Sequence, residues 1–209
     1  MAPEEYPLFE LEEVLTQIDA HIRHLIHSRA LLPFMKDDMI GKTTCQTGTY
    51  YKARGYDVKI TFAEPLTEQK VRELNEAGHW INQGYVVRLF ALLEYYKIVG
   101  GGERSKWGRI RKDIDGWEDI ELLRKLRKRF AHTAGFYRSD NLEHEALRQE
   151  LIEHFGLKEE NVPVQTRKFH IPIDTVLIPM GEGVKKYVKA LWDYRMQVSK
   201  LGSRQESSD

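Results

Sequence analysis

PLTEQKVRELNEAGHWINQGYVVRLFALLEYYKIV, residues 65–99, is the stretch on which the fold turns. Pro65 stands just ahead of it, Thr67 has the side chain of an N-cap, and Gly100-Gly101-Gly102 closes it. Its second half is apolar nearly all round. A helix of that kind has neighbours on its sides, so the stretch predicts the central helix of a bundle. Arg88 and Glu94 interrupt the apolar run. Buried charges need partners, so these two mark either an edge or a polar site.

Helical patterning continues on both sides. In residues 8–32, Phe9, Val14, Ile18, His21, Leu25 and Leu32 recur at helical spacing until Pro33 ends the run. Residues 34–65 are rich in Thr, Tyr and Val around ARGYD and predict a β-hairpin excursion. Residues 103–116 form a basic connector. A helix follows from Trp117 to about Ala134, with Ile120, Leu123, Leu126, Phe130 and Ala134 as its stripe. Residues 140–156 predict a short amphipathic helix capped by Asp140 or Asn141, and residues 162–172 an extended segment. The last helix is expected from Asp174, with Ile173, Leu177, Met180, Val184, Tyr187 and Leu191 on its seam and Arg195 flanking it. Pro179 should kink that helix or mark its true start. The reading is an all-α chain: one helical domain over residues 1–200, a small β-hairpin insertion at about 34–65, and a disordered tail at 201–209.

Composition narrows the function classes. The 209 residues carry a formal net charge of zero, so the whole molecule is not a polyanion binder by charge alone. The charge is unevenly spread: residues 104–138 hold eleven Lys or Arg against five Asp or Glu, and residues 139–161 hold two against seven. A local basic zone of that kind points to an anionic partner. The one cysteine, Cys45, rules out an internal disulfide and a cysteine zinc site and fits a reducing cytoplasm. The acidic start MAPEEYPLFELEE has no signal-like apolar run, and no stretch approaches the ~20 apolar residues of a membrane span.

The basic zone is densest at LRKRFAHTAG, residues 126–135. One reading is a well-capped helix end: Gly135 follows the last turn, and cations there oppose the negative end of the helix dipole. Lys125, Lys128, Arg129 and His132 share one face. The other reading is chemical. An Arg and a His can cleave a phosphodiester without metal, the His moving a proton and the Arg stabilising charge on the phosphorane. Arg127 and His132 are five residues apart, so on one ideal helix they point about 140° away from each other. Two copies facing across a two-fold axis can bring both residue types to one groove.

Arg127-Lys128-Arg129-Phe130-Ala131-His132 resembles the R-x4–6-H signature of HEPN domains. The preceding HWINQGYVVRLFALLEYYKIV is similar to the long apolar helix of that family's layout. The resemblance covers about residues 67–156, at its widest extending to 198, and implies an all-α, up-and-down bundle, dimeric in most members. In many members it implies a metal-independent endoribonuclease, often of toxin or phage-defence systems, with no cofactor and with an antitoxin or defence partner. Carried over, Arg127 and His132 are the catalytic pair. In that reading Lys125, Lys128, Arg129, Arg109 and Arg111 hold RNA backbone, Trp107 stacks a base, and Asn82 and Glu94 are polar groups facing the groove. Lys128 stands where the family often has Asn or Asp. A tyrosine two residues after the His marks one toxin branch, and here that position is Ala134. Some members are non-catalytic, so a helical interaction or nucleotide-binding module is the second reading.

Other motifs carry less. His21-x-x-His24-x-x-His27 puts two histidines on one face, with no carboxylate four residues after His24. MIGKTT at 39–44 has the end of a P-loop, but Lys36 occupies the position of its first glycine. Trp80 and Trp192 fall on apolar stripes and read as core.

Overall fold

The computed structural model describes residues 9–99, 111–133, 142–162, 164–165, 168–169 and 171–206. Six helices dominate: α1 (Leu11–Leu31), the four-residue α2 (Thr49–Lys52), α3 (Glu68–Tyr95), α4 (Trp117–Thr133), α5 (Leu142–His154) and α6 (Ile178–Glu206). β1 (Thr44–Gln46) pairs antiparallel with β2 (Lys59–Thr61), and β3 (Val164–Gln165) with β4 (Lys168–Phe169). The expected all-α bundle with a small hairpin is what the chain forms.

Four long helices close a ring. α1 packs on α3, α3 on α4, α4 on α6, and α6 back on α1, with α5 laid against α4. The core inside the ring takes Ile18, Ile22 and Leu25 from α1, Leu89 and Leu93 from α3, Leu123 and Leu126 from α4, and Met180, Val184 and Tyr187 from α6. Leu89, Leu93, Leu123 and Leu126 are fully buried, and each contributes about 1.5–3 kcal/mol by leaving water.

The helix ends follow local chemistry. Thr67 caps α3, its Oγ1 accepting from Lys70 N at 3.2 Å. The helix stops before the three glycines. Lys97 takes a left-handed conformation (φ 55°), and its N–H reaches Glu94 O while Ile98 N–H reaches Leu93 O. That is the paired bonding of a Schellman stop, here built without glycine. Arg195, expected to flank the seam of α6, is buried, and its Nη2 donates to Lys97 O at 2.9 Å. A single π-turn (Ile173–Leu177) runs directly into α6, and Pro179 is the second residue of the α-helical part. α6 runs on to Glu206, six residues into the stretch expected to be a tail. Gly116 (φ 84°) lets the chain enter α4 tight against α6, where a Cβ would strike Gly183 O.

The excursion at 34–65 has a small core of its own. Met35, Cys45, Leu66 and Val71 are buried together against the first half of α3. Asn75 fastens it, its Oδ1 accepting from Met35 N and its Nδ2 donating to Met35 O, both at 2.8 Å. The Tyr56 ring sits edge-on to His27 of α1, centroids 4.9 Å apart.

Candidate functional site

α4 is the helix that carries the Arg/His motif, and its neighbours decide which of its cations are available. Ile120, Leu123 and Leu126 face the ring as expected. A second face is covered too. Leu122 is buried, and Lys125, one turn on, reaches across to α5, its Nζ 2.6 Å from Glu150 Oε1. Arg129, on the same face one turn further, is 6% exposed. It therefore sits inside the protein, not on the RNA-facing surface that the helix pattern suggested. Lys125 in turn is engaged by a carboxylate of its own chain. Lys128 is exposed.

Arg127 occupies a different seat. Its side chain is 38% exposed, its Nη2 lies 3.8 Å from Oε2 of Glu94, and its guanidinium stands 5.6 Å from the centre of the Phe90 ring. Glu94 is itself 31% exposed. The pair is loose, at the rim between α3 and α4, and Glu94 is not a core carboxylate locking the arginine inward. The carboxylate is a nearby counter-charge at 3.8 Å and leaves donors for a third group. His132 lies in the last turn of α4, which ends at Thr133; its side chain lies outside the described residues, as do Trp107 and Arg109.

The remaining candidates are dispersed. Arg111 packs over the Tyr194 ring (3.9 Å to the centroid) and pairs with Asp113 at 2.6 Å. Those hydrogen bonds hold the Asp113 carboxyl below the usual carboxylate range and the Arg111 guanidinium above its ordinary value. Asn82 does not face the groove. It is 3% exposed, donates to Ile171 O at 3.2 Å, and lies twelve residues, about 18 Å of helix, before Glu94. It joins α3 to the segment that enters α6.

Trp80, expected in the core, is 67% exposed. With Gly84, Val87, Ala91 and Tyr95 it falls within about 80° of the α3 circumference. Trp80, Val87, Ala91 and Tyr95 are exposed, Tyr95 at 78%. Arg88 flanks this stripe on one side, and Glu94 on the other. Among the described residues no group of three His, Cys, Asp or Glu is placed to hold a metal, and no helix is long and apolar enough to cross a membrane. No family model, no curated protein and no solved structure matches the chain.

Proposed function

We propose that this protein is a metal-independent endoribonuclease of the HEPN type, acting as a homodimer. The observation that carries the reading is the seat of Arg127: a half-open guanidinium, with Glu94 3.8 Å away, on the helix whose last turn holds His132. In the reaction the 2′-oxygen attacks phosphorus and gives up its proton, the bond to the 5′-oxygen breaks, and that oxygen leaves with a proton. His132 moves one of these protons, imidazole being the side chain suited to proton transfer in either direction near neutral pH. Arg127 takes up the charge that builds on the phosphorane oxygens, and Lys128, exposed beside it, meets RNA backbone.

Two arguments support the dimer. Positions 127 and 132, five residues apart, lie about 140° apart on an ideal helix. The exposed Trp80–Val87–Tyr95 stripe runs along α3 directly beside Glu94. A second copy seated on that stripe covers the apolar face and brings its own α4 end to the same groove. The single free cysteine, buried Cys45, fits a cytoplasmic setting.

The test is incubation of the purified protein with a mixed RNA pool in EDTA, beside Arg127→Ala and His132→Ala. Cleavage by the wild type alone, leaving 2′,3′-cyclic phosphate ends, is the expected result. Cleavage by all three proteins removes the assignment. No cleavage by a folded dimer turns the reading to a binding module.

A further inference from the structure

Arg29 is the one arginine of α1 that continues its buried stripe, following Ile18, Ile22 and Leu25 at spacings of four, three and four. It is 2% exposed. Its Nε and Nη1 have no hydrogen-bond partner, and among the described residues no carboxylate lies within 4.0 Å of its guanidinium. Tyr51 is its polar neighbour and favours its charge. Room for the guanidinium comes from α3: at Gly78 a Cβ would overlap Arg29 Nη1. Burial lowers the arginine's pKa from its ordinary value, yet a guanidinium stays charged in a protein.

A buried cation lacking a carboxylate is expensive. The end of α1 offsets part of that through its dipole. What lies beside Arg29 suggests the rest. It lines a half-open cavity of about 550 Å³, bounded by the end of α1, the excursion and the Pro172–Asp174 segment. That volume is in the range of small-molecule sites, about 300–1,000 Å³. Phe34, Met35, Met39 and Pro172 give it apolar walls. Tyr50 also lines it, with a buried hydroxyl that has no hydrogen-bond partner. Lys36, Asp38 and Asp174 are the other charged residues at the cavity, and all three are exposed, so water screens them more than it screens Arg29.

We propose that this cavity binds a small organic anion, a carboxylate or phosphate head on an apolar body, with Arg29 as counter-charge and the Tyr50 hydroxyl as a second donor. The site does not depend on the ribonuclease reading, because it uses the other end of the molecule's chemistry: α1, the excursion and the entry to α6. It also gives the 34–65 insertion a task, that of supplying one wall and both tyrosines.

Titration calorimetry of the full-length protein tests this with phenylacetate, phenyl phosphate and the neutral phenylacetamide. At least one anion binds the wild type and the amide does not; the anion that binds identifies the head group. Arg29→Met weakens that binding about ten- to hundredfold, the value of a charged hydrogen bond, while thermal melting of the free variant holds or rises. Tyr50→Phe weakens it about tenfold. Asp174→Asn, which removes a repelling charge, tightens it. The proposal is overturned if neither anion binds, if the amide binds as well as the anions, or if Arg29→Met binds like the wild type. Should Arg29→Met fail to fold, unchanged affinity in Tyr50→Phe overturns it equally.

Discussion

Arg127 on α4 and Arg29 on α1 pose opposite electrostatic problems. Arg127 is half open to solvent, and a carboxylate stands within reach; Arg29 is buried, and its Nε and Nη1 have no hydrogen-bond partner. An exposed guanidinium with a loose partner loses little by releasing it, since such a pair is worth only about 0–1 kcal/mol. It suits a charge that appears and disappears during a reaction. A buried guanidinium with no counter-ion gains most from an anion that stays. On the two proposals made above, the arginines separate turnover from retention within one small bundle.

The comparison breaks most readily at the α4 end. Arg127→Ala is expected to lower RNA cleavage by about 10²–10³-fold, the value of a lost transition-state donor, with urea stability changed by no more than about 1 kcal/mol. A fall in stability that matches the fall in activity would recast Arg127 as a structural residue.

The Arg29 end is sharpened by its glycine. Gly78→Ala should destabilise the protein by about 1–3 kcal/mol through overpacking against the guanidinium. In an Arg29→Ala background the same change should stabilise by up to about 1 kcal/mol, the helix preference for alanine. Equal effects in both backgrounds, read from urea midpoints, would mean the slot at residue 78 does not serve Arg29.

Smaller effects follow at the margins. Lys97→Gly relieves a left-handed lysine and should raise stability by about 0.5–1 kcal/mol, seen as a higher melting temperature. Lys125→Ala removes a surface pair with Glu150 and should cost under about 1 kcal/mol. A larger loss there would show that α5 depends on that bridge to hold its place on α4.

How far the chain could be read in advance depended on the range of the forces involved. The Thr67 cap, the stop at Pro33, the stripe of α4 and the role of Pro179 are local, and residues within a turn or two decide them. The hairpin was signalled by its Thr and Val content, but the short helix at Thr49–Lys52 was hidden by residues that also favour strands. Trp80 was misplaced because periodicity marks a face as apolar without saying whether anything covers it. α3 meets α1 on one side and α4 on the other, and among the described residues Trp80, Val87, Ala91 and Tyr95 remain exposed. Arg129 was misplaced for the converse reason: a basic run on a helix reads as surface, although this arginine is buried. Asn82 stood out as a polar residue in an apolar run, yet its partner Ile171 is 89 residues away. Arg29 had a signal in plain view, a cation on the register of Ile18, Ile22 and Leu25. The cavity beside it is assembled from three separate segments and has no sequence signature.

The clamp between Asn75 and Met35 has a consequence for how the molecule tolerates change. Both of its bonds end on the backbone of residue 35, so that position is held by its peptide group and constrained by side-chain volume alone. Residue 75 must supply a donor and an acceptor at one fixed reach. Aspartate lacks the donor and glutamine overshoots by a methylene. In a saturation scan scored for folding, position 35 should accept several apolar residues of methionine's size, and position 75 should accept asparagine almost alone. The join between insertion and bundle is therefore secured by one side of the contact, and the insertion is free to vary its own sequence while remaining attached.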